Sequence, residues 1–143
     1  MIVSLVRSVG AVVLGLAVAL MLIVGVEFFS SIVHPFPPGV DPTNMEVCRQ
    51  HVAKYPAWVL AVAALAWVVT TFVSSWLTTR LGTGRHGTHG FVVGLILLAL
   101  AIMNMSMLPY PVWFWAANLI GFPLGFYWGA KLGAPASSPV PLP

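Results

Sequence analysis

The sequence predicts an all-α membrane protein: four transmembrane helices in a compact bundle, both termini cytoplasmic, and a short helix in the first outer loop. Three observations lead there. Of 143 residues, 59% are hydrophobic and only 6% charged, whereas soluble domains carry roughly a quarter charged residues. Four apolar stretches, approximately 8–33, 57–79, 91–108 and 112–132, suit a hydrocarbon core of about 30 Å, which takes roughly 20 helical residues to cross. Within lipid every backbone polar group must be paired internally, so such stretches are helices. Finally, Arg7, Arg80, Arg85 and Lys131 fall on one side of this threading, and only Arg49 and Lys54 on the other, beside Asp41 and Glu46. The positive-inside rule then puts both termini and the 80–89 loop in the cytoplasm of a bacterial inner membrane.

The first stretch begins with one Arg and resembles a secretion signal. Its apolar run is too long for one, and no small-residue cleavage site precedes a polar segment, so the sequence predicts a retained helix. The outer loop, 34–56, holds "DPTNMEVCRQHVAKYP". Asp41 or Thr43 is the expected N-cap, and Thr43 with Glu46 fits a capping box. Met45, Cys48 and Val52 then share one side of a short helix that Pro56 ends. Between the second and third stretches, "GTGRHGTHG" reads as a flexible connector, and 134–143 as a disordered Pro/Ser tail. Tyr55, Trp58, Tyr110, Trp113 and Trp115 mark the outer ends of the spans, with Trp76, Tyr127 and Trp128 near the inner ones.

Packing signals concentrate in the fourth stretch, where Gly121, Gly125, Gly129 and Gly133 recur every four residues. That spacing carves a groove along one helix face where another backbone can approach closely. Ala11, Gly15 and Ala19 repeat it on the first span, and Ala66, Thr70, Ser74 and Thr78 on the second. Packing within one chain and a seam in a homo-oligomer are both consistent with it. Pro123 removes the hydrogen bond to the Leu119 carbonyl, so a kink is expected there.

Chemistry-bearing residues are few. Glu27 lies about 9 Å below the outer end of the first span, Asn104 about 6 Å below that of the third, and Asn118 about 9 Å below that of the fourth, at 1.5 Å per residue. Ser30 and Ser106 sit at similar depth, with small Ala61 and Ala63 from the second span. An ionisable residue within a span is costly and points to function, which makes Glu27 a candidate proton or cation carrier with Asn104 and Asn118 lining its site. The plainer alternative is a hydrated carboxylate near the interface, with the asparagines as interhelical glue.

A metal centre finds weaker grounds. His34, Asp41, Glu46, Cys48 and His51 could gather on the outer side above Met103, Met105 and Met107, and thioether and thiolate ligands suit Cu(I). The spacing matches no defined site, and methionines at i, i+2 and i+4 fan around a helix. No histidine lies inside a span to hold a haem, and no cofactor is implied. His86 and His89 read as solvated loop residues. The single cysteine excludes an internal disulfide and is misplaced for a lipoprotein anchor. No hydrolase, kinase or nucleotide-binding motif is present, and a net charge of +3 spread along the chain is no nucleic-acid signature.

The segments "PFPPGVDPTNME", "NMSMLPYPVWF" and "GAKLG" resemble a group of small bacterial inner-membrane proteins with a proline-glycine-aspartate outer loop and an asparagine-to-P-x-P-x-W-F junction between spans three and four. The likeness covers Glu27 to about Gly133 and rests on Pro38, Gly39, Asp41, Asn104, Pro109, Pro111, Trp113 and Phe114. It implies a four-helix fold and no activity. "TTFVSSWLTTR" departs from that group, whose second span tends to be glycine-rich. Small multidrug-resistance transporters are similar in architecture alone, with four spans and one membrane glutamate. Three functions are therefore expected, in this order: a non-enzymatic packing or accessory subunit of a membrane complex or homo-oligomer, a small proton- or cation-coupled permease using Glu27, and a copper-handling protein.

Overall fold

A computed structural model describes residues 2–83 and 87–135. Among them the chain is helical without strands: α1 (Ile2–Val33), α2 (Met45–Val52), α3 (Ala57–Leu81), α4 (Thr88–Met107) and α5 (Val112–Gly133). Three helices, α1, α3 and α4, are long and apolar enough to cross a membrane. The 22 residues of α5 include Asn118, Pro123, Lys131 and four glycines, which dilute its apolar character. It runs through Pro123 as one continuous helix.

Helix ends differ from the sequence expectation where local chemistry was misread. The first helix starts six residues earlier than expected, so Arg7 lies inside α1, where Nε donates to the Leu81 carbonyl at 3.1 Å. That bond satisfies one of the carbonyls left open at the end of α3. Ser8 and Thr83 hydroxyls bond at 2.8 Å, and Thr83 Oγ1 donates to the Ser4 carbonyl, tying the same two helix ends. The expected connector is partly helical, because α4 begins at Thr88 after Gly87, whose φ of +91° a side chain would strain. The rest of that connector, 84–86, and the tail at 136–143 lie outside the described residues.

The N-cap of α2 is Asn44. Its Oδ1 accepts from the Glu46 and Val47 amides at 2.9 and 3.4 Å. Asp41, an expected cap, instead accepts from the amide and hydroxyl of Thr43, at 2.9 and 2.7 Å, which holds its carboxyl below the usual range. Both expected caps are thus consumed in the turn before the helix. Of the expected stripe, Val52 is buried, Cys48 half-buried and Met45 exposed.

Helix α3 is central, packing against α1, α4 and α5, with its longest interface to α5. Its small hydroxyl residues meet α1 and α4, and its backbone meets α5. A Cβ added at Gly15 of α1 would strike the Thr78 hydroxyl and lie 3.2 Å from the Ser74 carbonyl. On the opposite side, the glycines of α5 meet α3 in register. Added Cβ atoms would meet Val68 from Gly121 and the Val68 carbonyl from Gly125 at 3.0 Å. They would strike the Phe72 carbonyl from Gly129 and meet the Trp76 carbonyl from Gly133 at 2.5 Å. Residues 68, 72 and 76 recur every four positions, as the glycines do, so the two helices approach backbone to backbone along several turns. The serines and threonines of "TTFVSSWLTTR" take the part that glycine plays elsewhere. Thr70, Thr71, Ser74, Ser75, Thr78 and Thr79 are all buried.

The apolar core lies between these helices and includes Leu60, Val93, Leu97, Met105, Phe114 and Phe122. Gly94 of α4 receives the Phe126 ring of α5. At the end where α1 starts and α5 stops, Lys131 Nζ sits 4.7 Å from the centre of the Trp128 ring and 5.7 Å from that of Tyr127.

Candidate functional site

The opposite end, where α2 and the connecting loops lie, encloses the site. Residues 34–56 fold over the ends of α1, α3 and α4, and Arg49 fixes them there. Its Nε donates to the Met107 carbonyl at 3.0 Å, closing the end of α4 as Arg7 closes α3. His51 is the second attachment. It is 6% exposed, its Nε2 lies 3.0 Å from the His34 carbonyl, and its ring stacks on Phe36 at 3.9 Å and on His34 at 4.5 Å. Tyr55 meets both imidazoles edge-on, at 4.8 and 5.2 Å.

Burial pushes the His51 pKa down, and the neighbouring His34 adds to this, with Lys54 contributing least. The folded loop thus holds His51 neutral. Below about pH 6.5 an unfolded histidine gains a proton that the folded one resists, so stability contributed here is complete above that pH and falls as pH drops through it. The loop end is expected to open to proteolysis on acidification from pH 7.5 to 5.5. In His51→Phe, which keeps the stacking, the same titration should give a flat profile; an unchanged acid sensitivity there would assign it to another group.

Beneath this cover is a cavity of about 290 Å³. Its walls include Glu27 and Ser30 of α1, Leu60, Ala63 and Trp67 of α3, Asn104 of α4, and Tyr55, Leu108, Tyr110, Cys48 and His51 from the loop end. Three of the four expected polar-layer residues, Glu27, Ser30 and Asn104, therefore share one space. The fourth does not line it. Asn118 is fully buried within α5, and its Nδ2 donates to the Phe114 carbonyl one turn back at 2.8 Å while Oδ1 has no partner. Equal depth placed Asn118 in the layer, but its rotation about the helix axis points it elsewhere, and depth alone carries no such information. Asn118→Leu has similar volume and removes an unpaired polar atom. It is expected to leave the cavity walls in place and thermal stability within about 1 kcal/mol of the parent. A loss of several kcal/mol in Asn118→Leu would instead give the Asn118 amide a structural role in the bundle.

The Glu27 side chain is exposed to this space, and no described side chain forms an ion pair or hydrogen bond with it. Its charge is felt by two phenols. Burial pushes the Tyr55 and Tyr110 pKa values up, and the negative charge of Glu27 is the next cause in both. Trp67 meets Tyr110 edge-on at 6.3 Å and Phe114 at 5.4 Å, while Tyr110 stacks on Phe114 at 4.4 Å. This aromatic wall is fixed by the buried Phe114 behind it. Trp67 Nε1 and Asn104 Oδ1 are enclosed without hydrogen-bond partners, two unpaired polar atoms behind the surface of the cavity. Ser106 is turned to its own helix, donating to the Met103 carbonyl.

Sequence reasoning missed Tyr55, Trp67 and Tyr110 as cavity walls. Both tyrosines read as interfacial belt residues, and Trp67, ten residues into an apolar helix, carries no signal that separates a cavity wall from a lipid contact. Of the expected metal ligands, Met105 is buried in the core while Met103 and Met107 are exposed. Cys48 Sγ lies 3.0 Å from the Pro42 carbonyl. Among the described residues no three of His, Cys, Asp and Glu come together as a metal site. Comparison with family models, with curated proteins and with solved structures gave no match.

Proposed function

We propose that the chain is a non-enzymatic, multi-pass protein of a bacterial cytoplasmic membrane that takes a small cation into the loop-end cavity in exchange for a proton on Glu27. In this reading α5 is a fourth crossing beside α3, both termini are cytoplasmic and the cavity opens outward, as the distribution of basic residues favours. One observation carries it: a carboxylate without an ion-pair partner among the described residues opens into a cavity walled by Trp67, Tyr55 and Tyr110. Aromatic faces attract cations, by more when desolvated. A bare carboxylate at this depth is costly, so a proton and a cation compete to neutralise it. That competition is the coupling.

The accessory-subunit reading draws less support, because the small-residue faces, expected to pack within one chain or else to form a seam between chains, meet helices of the same chain. Copper handling draws less again, since the three methionines diverge. The test uses purified protein in vesicles carrying an internal pH dye. An inward gradient of tetramethylammonium is expected to drive proton efflux with the parent protein. Efflux equal to that of protein-free vesicles would overturn the proposal, and a tightly bound foreign subunit in native mass spectrometry would return the accessory reading to first place.

A further inference from the structure

A second cavity, of about 250 Å³, lies beside the first and shares Glu27, Trp67 and Asn104 with it. Its other walls, Ile23, Leu100, Ala101 and Met103, are apolar. The cavity sits between α1 and α4, which meet over a shorter interface than α1 makes with α3. Leu100 and Met103 stand at its edge, 49% and 55% exposed. Depth decides what this opening faces. Leu100 lies about 10 Å below the end of α4 at Met107, and Ile23 about 15 Å below the end of α1 at Val33. A helix surface that deep and that apolar borders hydrocarbon, not water.

Glu27, Trp67 and Asn104 therefore stand on the boundary between a polar space under the loops and an apolar space open to the side. We infer that the occupant is a single-chain amphiphilic cation that enters laterally between α1 and α4, its charged head in the loop-end cavity against Glu27 and its alkyl tail through the side cavity into the bilayer. This rests on the cation reading above and adds the substrate class and the route. The head finds a carboxylate and aromatic faces. The tail finds Ile23, Leu100 and Met103 without any polar group to desolvate. A fully hydrophilic cation would leave the side cavity unexplained, and a neutral lipid would leave Glu27 without a counter-charge.

The test compares tetramethylammonium with decyltrimethylammonium, measured by binding to the full chain in lipid nanodiscs with protein-free discs subtracted. The parent should bind the decyl compound at least about tenfold more tightly. Leu100→Trp, which fills the side opening and leaves the loop-end cavity alone, should remove that advantage while tetramethylammonium binding is unchanged. Met103→Trp, one turn further along, should read the same and stands in if Leu100→Trp fails to give a monodisperse helical protein. Equal binding of the decyl compound by both tryptophan variants and the parent overturns the lateral route. If tetramethylammonium binding still depends on Glu27 in that case, the proposed function stands without it. If neither compound binds the parent, or Glu27→Gln alters neither, both readings fall.

Discussion

Glu27→Gln is expected to reduce tetramethylammonium-driven proton efflux to the level of protein-free vesicles and to weaken tetramethylammonium binding about 10- to 100-fold. The binding figure takes the low end of the roughly 1.5–7 kcal/mol by which close charge pairs couple, at 1.4 kcal/mol per factor of ten. Gln keeps the length and nearly the helix propensity of Glu, so α1 should be intact. The change removes a charge that no described side chain neutralises, so nothing is left unpaired by it. Folding should be equal to or slightly better than the parent, which separates lost function from lost structure. Efflux by Glu27→Gln at the parent rate would remove the carboxylate from the mechanism and leave Glu27 as a hydrated residue near the interface.

Gly129→Leu should have the largest structural effect. A Cβ at this position strikes the Phe72 carbonyl oxygen and lies 3.1 Å from both the Ser75 Cβ and the Trp76 nitrogen. Two of these three obstacles are backbone, which no side-chain rotation can move aside. The α3–α5 interface must open, and because α3 packs against every other long helix, the displacement reaches the whole assembly. Overpacking a tight contact costs about 1–3 kcal/mol where neighbours can give, and more where they cannot. In lipid no hydrophobic drive compensates for the separation. The expected readout is loss of a monodisperse peak in mild detergent and a fall in thermal midpoint. Gly10→Leu is the control, since nothing lies within 4 Å of a Cβ there; it should match the parent within about 0.5 kcal/mol. A Gly129→Leu protein as stable as Gly10→Leu would mean that α3 and α5 are not held in this close contact.

Much of the architecture was legible in the chain. The apolar stretches corresponding to α1, α3 and α4 are helices in place, to within a turn at each end except the start of α1, because length and hydropathy in lipid leave one backbone solution. The four-residue spacing of Gly121 to Gly133 identified the face of α5 that packs, because that spacing is itself a geometric statement about a helix. Local caps were less legible. Asp41, Thr43 and Asn44 are all good cap residues, and which of them serves depends on where the preceding turn closes.

The sequence by itself therefore determined that this is a helical membrane protein, where its helices run, and that one carboxylate, Glu27, stands apart within them. Only the tertiary structure decided what shares a space with Glu27. It kept Ser30 and Asn104, dropped Asn118, and brought in Trp67, Tyr55 and Tyr110. Depth along a helix is a count of residues, which a sequence contains. Rotation toward a neighbour and the fold of a loop over the helix ends depend on packing between segments far apart in the chain, and no local pattern records that.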